Sequence, residues 1–242
     1  MSKPIGRKAY GSIPHLPSSR LGPADHYIHP GQAKILTEKV RDRHDRIIVT
    51  EKLDGACVAV ARHAGQIIAL GRSGYAVETS PYEHLRHFGM WVAENERRFA
   101  ALEEGERLCG EWIGMAHGTL YEAVSQPFVP FDLMAQAQRF PIDQMMEVCG
   151  RAGLVPAHII SDGPPLAVED GLMAISDGGF HGAIDPVEGC VWRCERRGKF
   201  EFIAKFVQHS KIDGMYFTEK TGVAPIFHWR PTTALERTPS CR

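Results

Sequence analysis

The stretch Val49-Thr50-Glu51-Lys52-Leu53-Asp54-Gly55 decides how the rest of the chain reads. Its β-branched start predicts a strand, and the acid and glycine that follow the lysine predict a turn, so Lys52 stands at a strand end. A primary amine in that position is a nucleophile once it loses its proton, which a neighbouring cation or metal favours by lowering its pKa. Working outward, residues 46–50, 56–61 and 66–70 read as strands. The second and third are joined by Arg62-His63-Ala64-Gly65, a hairpin turn.

Further downstream, Ser80-Pro81 reads as an N-cap and first-turn proline opening a helix over about 81–102. Leu85, Phe88, Val92, Phe99 and Leu102 share one face of it. Residues 107–113 and 128–134 read as buried strands, 141–149 as a helix ended by Gly150 and Gly153, and 166–175 as a short helix. Residues 187–194 and 200–207 read as strands joined by the Glu195-Arg196-Arg197-Gly198-Lys199 turn. Residues 1–45 form a loop-rich lead-in to the same domain, with a short helix around 31–39. The main domain is expected over 46–213 and a short tail over 214–242. The fold class is α+β and sheet-rich, without internal repeats or low-complexity tracts.

Composition narrows the function classes. The chain has 242 residues, 43% hydrophobic and 24% charged, with 28 basic against 29 acidic residues and a net charge of -1. That excludes disordered, collagen-like and coiled-coil proteins. A nucleic-acid partner would have to meet a local basic patch, since there is no global positive field. No apolar run approaches the ~18 residues of a membrane span, and the basic N-terminus lacks a signal-peptide apolar stretch. A cytoplasmic protein with reduced cysteines at 57, 109, 149, 190, 194 and 241 is expected, none of them at zinc-site spacing. His84 and His87 sit one helical turn apart with nothing nearby to complete a metal site, and read as solvated or packed.

After Lys52 comes an ordered series: Gly71-Arg72-Ser73-Gly74, Cys109-Gly110-Glu111-Trp112, Phe128-Val129-Pro130-Phe131-Asp132, Glu188-Gly189-Cys190-Val191-Trp192-Arg193 and Ala204-Lys205-Phe206-Val207. Each puts a charged or aromatic residue at a strand end or centre, where an unpartnered charge costs several kcal/mol. One shared polar site would satisfy them all. The series resembles the nucleotidyltransferase motifs of ATP-dependent polynucleotide ligases, most closely RNA ligases of the RNA ligase 2 type, over about residues 45–211. The lead-in from Pro14 to His26 is also similar to that of small RNA ligase family proteins. The resemblance implies an ATP-grasp-like nucleotidyltransferase (adenylation) domain of antiparallel sheets flanked by helices. No OB-fold domain is expected, since about 30 residues follow the last motif.

The resemblance also implies roles. Lys52 becomes covalently linked to AMP, and Lys205 contacts the α-phosphate and neutralises charge in the transition state. Lys205 also opposes the charge on Lys52. Glu188 is a ligand or outer-sphere partner of Mg²⁺, with Mn²⁺ an alternative. Glu111 contacts the ribose hydroxyls, and Arg72 reaches the ribose or the phosphates. Phe131 stacks on adenine, with Phe128 its competitor, and Glu51 helps recognise the adenine edge. Asp54 shapes the turn and pairs with a base. Two positions depart from the pattern. Cys57 stands where type 2 RNA ligases carry asparagine and where DNA ligases and capping enzymes carry arginine. Val207 stands where a second lysine is usual, with Lys199 and Lys211 as candidate substitutes.

The function this implies is an ATP-dependent RNA ligase. Through lysyl-AMP it adenylylates an RNA 5′-phosphate and joins it to a 3′-OH, in end joining or repair. The rival readings are a DNA nick ligase or capping-type nucleotidyltransferase, and a nucleotide- or RNA-end-binding protein that does not seal. RNA is the expected partner and DNA the less favoured one.

Overall fold

A computed structural model describes residues 3–122, 124 and 126–231. In chain order its elements are α1 (Pro30–Thr37), β1 (Asp45–Lys52), β2 (Ala56–His63), β3 (Gln66–Gly71), α2 (Glu83–Glu94), β4 (Glu106–Trp112), β5 (Phe128–Ala135), β6 (Gln138–Arg139), α3 (Ile142–Ala152), β7 (Ile159–Gly163), α4 (Val168–Ala174), β8 (Gly189–Arg196), β9 (Lys199–Val207) and α5 (Thr218–Thr221). The strands form two sheets, ordered β7-β1-β8-β9 and β3-β2-β4-β5-β6, with every neighbouring pair antiparallel. Among the described residues, every named strand belongs to one of these two sheets, and none builds an OB barrel.

The expected hairpins form for the expected reason. Ala64 (φ 50°) and Gly65 (φ 76°) link β2 to β3, and Arg197 (φ 52°) and Gly198 (φ 70°) link β8 to β9. Two successive left-handed residues match the twist of the strands they join. The short linker 53–55 carries the chain from β1 in the first sheet to β2 in the second, so the stretch around Lys52 is the crossover between sheets.

The α2 and α3 helices pack on the second sheet around Phe88, Trp91, Phe99, Trp112 and Phe128, with Phe88 5.5 Å from Phe128 and Trp91 6.1 Å from Trp112. Each buried aromatic of this kind contributes about 2–3 kcal/mol. Against the first sheet, Leu36 of α1 and residues of α4 pack with Trp192 and Val49. A buried ionic network ties the sheets together. Asp132 of β5 accepts from Arg139 (2.6 Å), from Arg193 of β8 (3.1 Å) and from the Tyr10 hydroxyl (3.2 Å). Glu195 accepts from Arg193 and from the Ile142 N–H that opens α3, both at 2.6 Å.

The long helix expected over 81–102 is shorter. It starts at Glu83, with the Ser80 hydroxyl accepting the Tyr82 N–H (3.2 Å) in the approach rather than at the cap. It ends at Glu94, where the cap residue Asn95 donates its backbone N–H to Trp91 O (3.0 Å) and Val92 O (3.1 Å) and its side-chain amide to Trp91 O as well (2.8 Å). A separate 3₁₀ turn, Glu96–Phe99, follows. Phe99 and Leu102 nevertheless bury in the same core. In α3, Gly150 is an interior residue and Gly153 alone, at φ 61°, ends the helix.

The lead-in is built into both sheets. Lys205 N–H donates to Pro14 O (3.0 Å) and Leu16 N–H to Lys205 O (2.8 Å), adding a parallel edge to β9. Ala9 and Tyr10 N–H groups donate to Arg72 O beyond β3. Of the expected tail, residues 214–231 dock on the body through His228 and Trp229 N–H bonds to Gly114 O, and 232–242 lie outside the described residues. Cys57, Cys109, Cys149, Cys190 and Cys194 are free thiols, and Cys241 lies outside the described residues. His84 packs against Tyr82 and His117, and among the described residues no cluster of three metal-ligating side chains forms. No helix of the described residues is long and apolar enough to cross a membrane.

Candidate active site

The two sheets enclose a cleft of about 310 Å³. The first sheet contributes Lys52 from the end of β1, Glu188 just before β8, Val191 and Arg193 of β8, and Ile203 and Lys205 of β9. The second contributes Cys57, Glu111 and Phe131, with Arg72 following β3. Strand alternation explains the pairs: Val191 and Arg193, like Ile203 and Lys205, are two residues apart and share a face. Register does the rest, setting Lys52 opposite Gly189 and Cys57 opposite Glu111.

Two glycines make the approach possible. A Cβ on Gly55 would lie 2.4 Å from Trp112 O, and one on Gly189 only 1.9 Å from Phe206 O. Both are closer than any real Cβ contact, so the turn after Lys52 and the strand start after Glu188 each require glycine. Freed of a side chain, Gly55 donates its N–H to Glu111 Oε1 (3.1 Å).

The Lys52 ammonium donates to Glu188 Oε2 at 2.5 Å and is 19% exposed. Burial disfavours its charge, but the carboxylates of Glu188 and Glu111 outweigh burial and hold its pKa above the usual lysine value. Lys205 is affected in the opposite sense: burial, then repulsion from Lys52, lowers its pKa. The repulsion between the two ammonium groups is mutual, so Lys205 does oppose the charge on Lys52 as expected, but the carboxylates around Lys52 outweigh it. Burial pushes the Glu111 carboxyl up to about 8, with Lys52 opposing and Glu188 reinforcing the rise. Burial raises Glu188 as well, against the pull of Lys52.

The remaining residues singled out from the sequence divide clearly. Phe131 lines the cleft, edge-on to Tyr10 at 5.0 Å, whereas Phe128 is fully buried in the helix-side core. Arg72 lines the cleft and donates to the Ser12 hydroxyl (2.9 Å). Glu51 borders the cleft, but its carboxylate lies on the opposite face of β1 from Lys52 and accepts the Phe180 N–H (2.7 Å). Asp54 pairs with a base as expected, lying 3.3 Å from the buried Lys211 ammonium. Lys211 also donates to Gly118 O (2.6 Å) and Pro186 O (3.2 Å), so it braces the turn behind Asp54 and is not a cleft residue. Lys199 sits in the β8–β9 hairpin. Neither lysine replaces a cation at Val207, itself buried at the end of β9.

The lead-in supplies residues that sequence reading passed over. Tyr10, Gly11 and Ile13 line the cleft. His15, 1% exposed, meets Ser19 Oγ at 2.7 Å and Asp25 Oδ2 at 3.0 Å, and the other oxygen of Asp25 lies 3.8 Å from Lys205. The signal was present in a histidine, a serine and an aspartate set among prolines and glycines, but a segment without periodicity gives no hint of what it touches.

The family model for RNA ligases matches residues 45–207. The chain belongs to the RNA ligase family. Its matched span runs from the start of β1 to the end of β9, which includes every strand of both sheets and excludes the lead-in. No curated protein matches significantly. Among solved structures, an archaeal ATP-dependent RNA ligase superposes with a TM-score of 0.52 at 20% identity, over 82% of this chain and 48% of that one. A Naegleria gruberi RNA ligase mutant with ATP and Mn gives a TM-score of 0.51 at 17% identity, over 87% and 62%. An apo mutant of the same ligase gives 0.52 at 16%, over 86% and 60%. These likenesses establish a shared fold, and this RNA ligase family chain spans between about half and three fifths of the structures it resembles.

Proposed function

We propose that this chain carries the adenylyltransferase chemistry of an ATP-dependent RNA ligase, with Lys52 as the nucleophile. The observation that carries the reading is the convergence of Lys52, Glu188 and Lys205 from three adjacent strands on one cleft, with Glu111, Arg72 and Phe131 facing them from the other sheet. The Lys52 amine attacks the α-phosphorus of ATP, forming an N–P bond as the bond to pyrophosphate breaks. An RNA 5′-phosphate oxygen then takes the AMP from Lys52, and a 3′-OH displaces AMP to close the phosphodiester. This demands positioning and charge neutralisation more than covalent invention.

Each side chain has a task in that scheme. Lys52 is stored as an ammonium on Glu188, so attack requires its proton to leave. Lys205 stands across from Val191 on β9 and offers the α-phosphate a cation whose position is held by the Asp25–His15 clamp. Phe131 offers a ring for the base, and Glu111 and Arg72 offer an acceptor and donors for the ribose and phosphates. Glu51 turns its carboxylate to the opposite face of β1 from Lys52, with Oε2 accepting from Phe180, so any contact of this residue with the base falls to its main chain.

The donor set fits a divalent ion. Burial raises both Glu111 and Glu188, with Glu188 and Asp54 adding to the rise at Glu111 and Asp54 to that at Glu188, so a cation beside these carboxylates would relieve their repulsion. One carboxylate, Glu188, with phosphate and water oxygens suits Mg²⁺, and the Mn in the Naegleria structure makes Mn²⁺ the alternative. When bound, the ion would neutralise phosphate charge. RNA as the polymer follows from the family, and Cys57 on the cleft wall and the apolar Val207 at the end of β9 are the features that favour a protein which adenylylates but does not seal. Sealing assays on nicked duplexes, with the sealed strands RNA or DNA, test both points. Joined RNA in excess of joined DNA is expected. Equal or greater DNA joining refutes the polymer assignment, and lysyl-AMP without any joined product refutes sealing.

A further inference from the structure

Arg20 lies beside the strand end that carries Lys205 and has hydrogen-bonding capacity its surroundings do not use. Its backbone N–H donates to Val207 O (3.0 Å), which seats it beside the end of β9, two residues past Lys205. Position 207 itself is apolar and 3% exposed, so this strand end has no cation of its own. Arg20 Nη2 lies 2.5 Å from Asp213, a residue whose side chain is 72% exposed. The adjacent Nε is buried and has no hydrogen-bond partner among the described residues. A guanidinium presents Nε–H and Nη2–H as one fork, and here a carboxylate takes only one tine. The Asp213 bond is the main cause of a raised Arg20 pKa, with Glu188 and Asp54 adding to it, and Lys52 adds to the lowering that Arg20 causes at Asp213. The pair is therefore within electrostatic reach of the nucleophile.

We infer that Arg20 is an outer phosphate-binding residue at the mouth of the cleft and that Asp213 is the internal anion it exchanges for substrate phosphate. With Asp213 displaced and the guanidinium turned to uncover Nε, a phosphate would engage both tines of the fork, which the single Asp213 contact does not. Two phosphates share that chemistry: the terminal phosphates of ATP, and the 5′-phosphate of an RNA end in the following step. The inference rests on the ligase reading and extends it to a residue outside the family-matched span.

The test measures binding of ATP, AMP and inorganic pyrophosphate to the full chain by titration calorimetry in Mg²⁺, and AMP transfer from adenylylated protein to 5′-phosphorylated RNA. The proteins are wild type, Arg20→Ala, Arg20→Lys and Asp213→Asn. Arg20→Ala is expected to weaken ATP and pyrophosphate about tenfold to a hundredfold, the range for losing a hydrogen bond to a charged group. AMP binding is unchanged, Arg20→Lys recovers part of the loss, and Asp213→Asn binds ATP at least as tightly as wild type. If ATP binding is unaffected but AMP transfer falls about tenfold or more, the phosphate is the RNA end and the subsite stands. Unchanged binding and transfer in Arg20→Ala overturn the inference while leaving the ligase reading intact. So does an Asp213→Asn variant that reproduces the Arg20→Ala loss, since the pair is then a structural tie. A wild-type protein that binds neither ATP nor pyrophosphate overturns both.

Discussion

Glu51 offers a quantitative test because its environment is so one-sided. The residue is 2% exposed and receives one hydrogen bond, the Phe180 N–H at 2.7 Å, while Oε1 is buried with no hydrogen-bond partner among the described residues. Burial raises its pKa to about 7 from 4.5, with the Phe180 bond opposing the rise. A folded-state pKa above the unfolded one means the native state binds the extra proton. The associated stability is fully present below pH 4.5 and is lost as pH rises through 7. The shift corresponds to about 3 kcal/mol as an upper value, from ~1.4 kcal/mol per unit. Glu51→Gln keeps an oxygen to accept from Phe180 and places an uncharged NH₂ where the protonated oxygen sits. Urea unfolding of wild type and variant from pH 4.5 to 8 should give nearly equal stabilities at the acid end. The variant should gain on wild type progressively above that, by up to about 3 kcal/mol at pH 8. Glu111 titrates in both proteins and cancels from the difference. Parallel stability profiles would refute the buried-carboxyl reasoning, and a variant that loses ground as pH rises would reverse it.

Three further outcomes are expected. On the proposed mechanism the single-turnover rate of protein adenylylation should climb with pH, because a nucleophilic Lys52 would react as the free amine and its pKa is held above the ordinary lysine value; a flat profile would count against Lys52 as the nucleophile. Gly55→Ala should lower stability by about 3 kcal/mol, seen as a reduced Tm, because its Cβ meets Trp112 O at 2.4 Å; an unchanged Tm would show the crossover turn to be more pliant than its contacts indicate. Asp54→Asn should cost about 3 kcal/mol by chemical denaturation, since it strips the buried Lys211 ammonium of its carboxylate partner, and a loss well under 1 kcal/mol would show that the carbonyls of Gly118 and Pro186 suffice.

Much of the fold was legible because β1–β3 carry β-branched residues, the later strands carry apolar and aromatic ones, and the hairpins turn on residues at positive φ. The strands around Lys52, Glu111, Phe131, Glu188 and Lys205 emerge within a residue or two of their expected bounds, and the strand ends carry the charged side chains into one cleft. What escaped has identifiable causes. The helix stops at Glu94 and gives way to a separate 3₁₀ turn, Glu96–Phe99, a break invisible to a periodicity that continues through Phe99 and Leu102. The edge strand β7 has only two apolar residues, Ile159 and Ile160, before its Ser-Asp-Gly, so it reads as loop until β1 pairs with it. Charge partners were the least legible. Nothing local links Asp132 to Arg193, Asp54 to Lys211, or Lys205 to the Asp25–His15 clamp, since each joins residues brought together by the sheet topology. Choosing Phe131 over Phe128 also needed the fold, because only the sheet shows which of them faces the cleft and which the helices.

The most direct test of the Lys52 chemistry is intact-mass and peptide mass spectrometry of the protein after incubation with ATP and Mg²⁺, alongside GTP and a Lys52→Ala control. Protein already adenylylated is first discharged with pyrophosphate. The expected result is a gain of one AMP from ATP, mapped to Lys52, removed by pyrophosphate and absent from Lys52→Ala. A nucleotide-free wild type that gains no AMP, or gains it on another residue, would contradict Lys52 as the nucleophile.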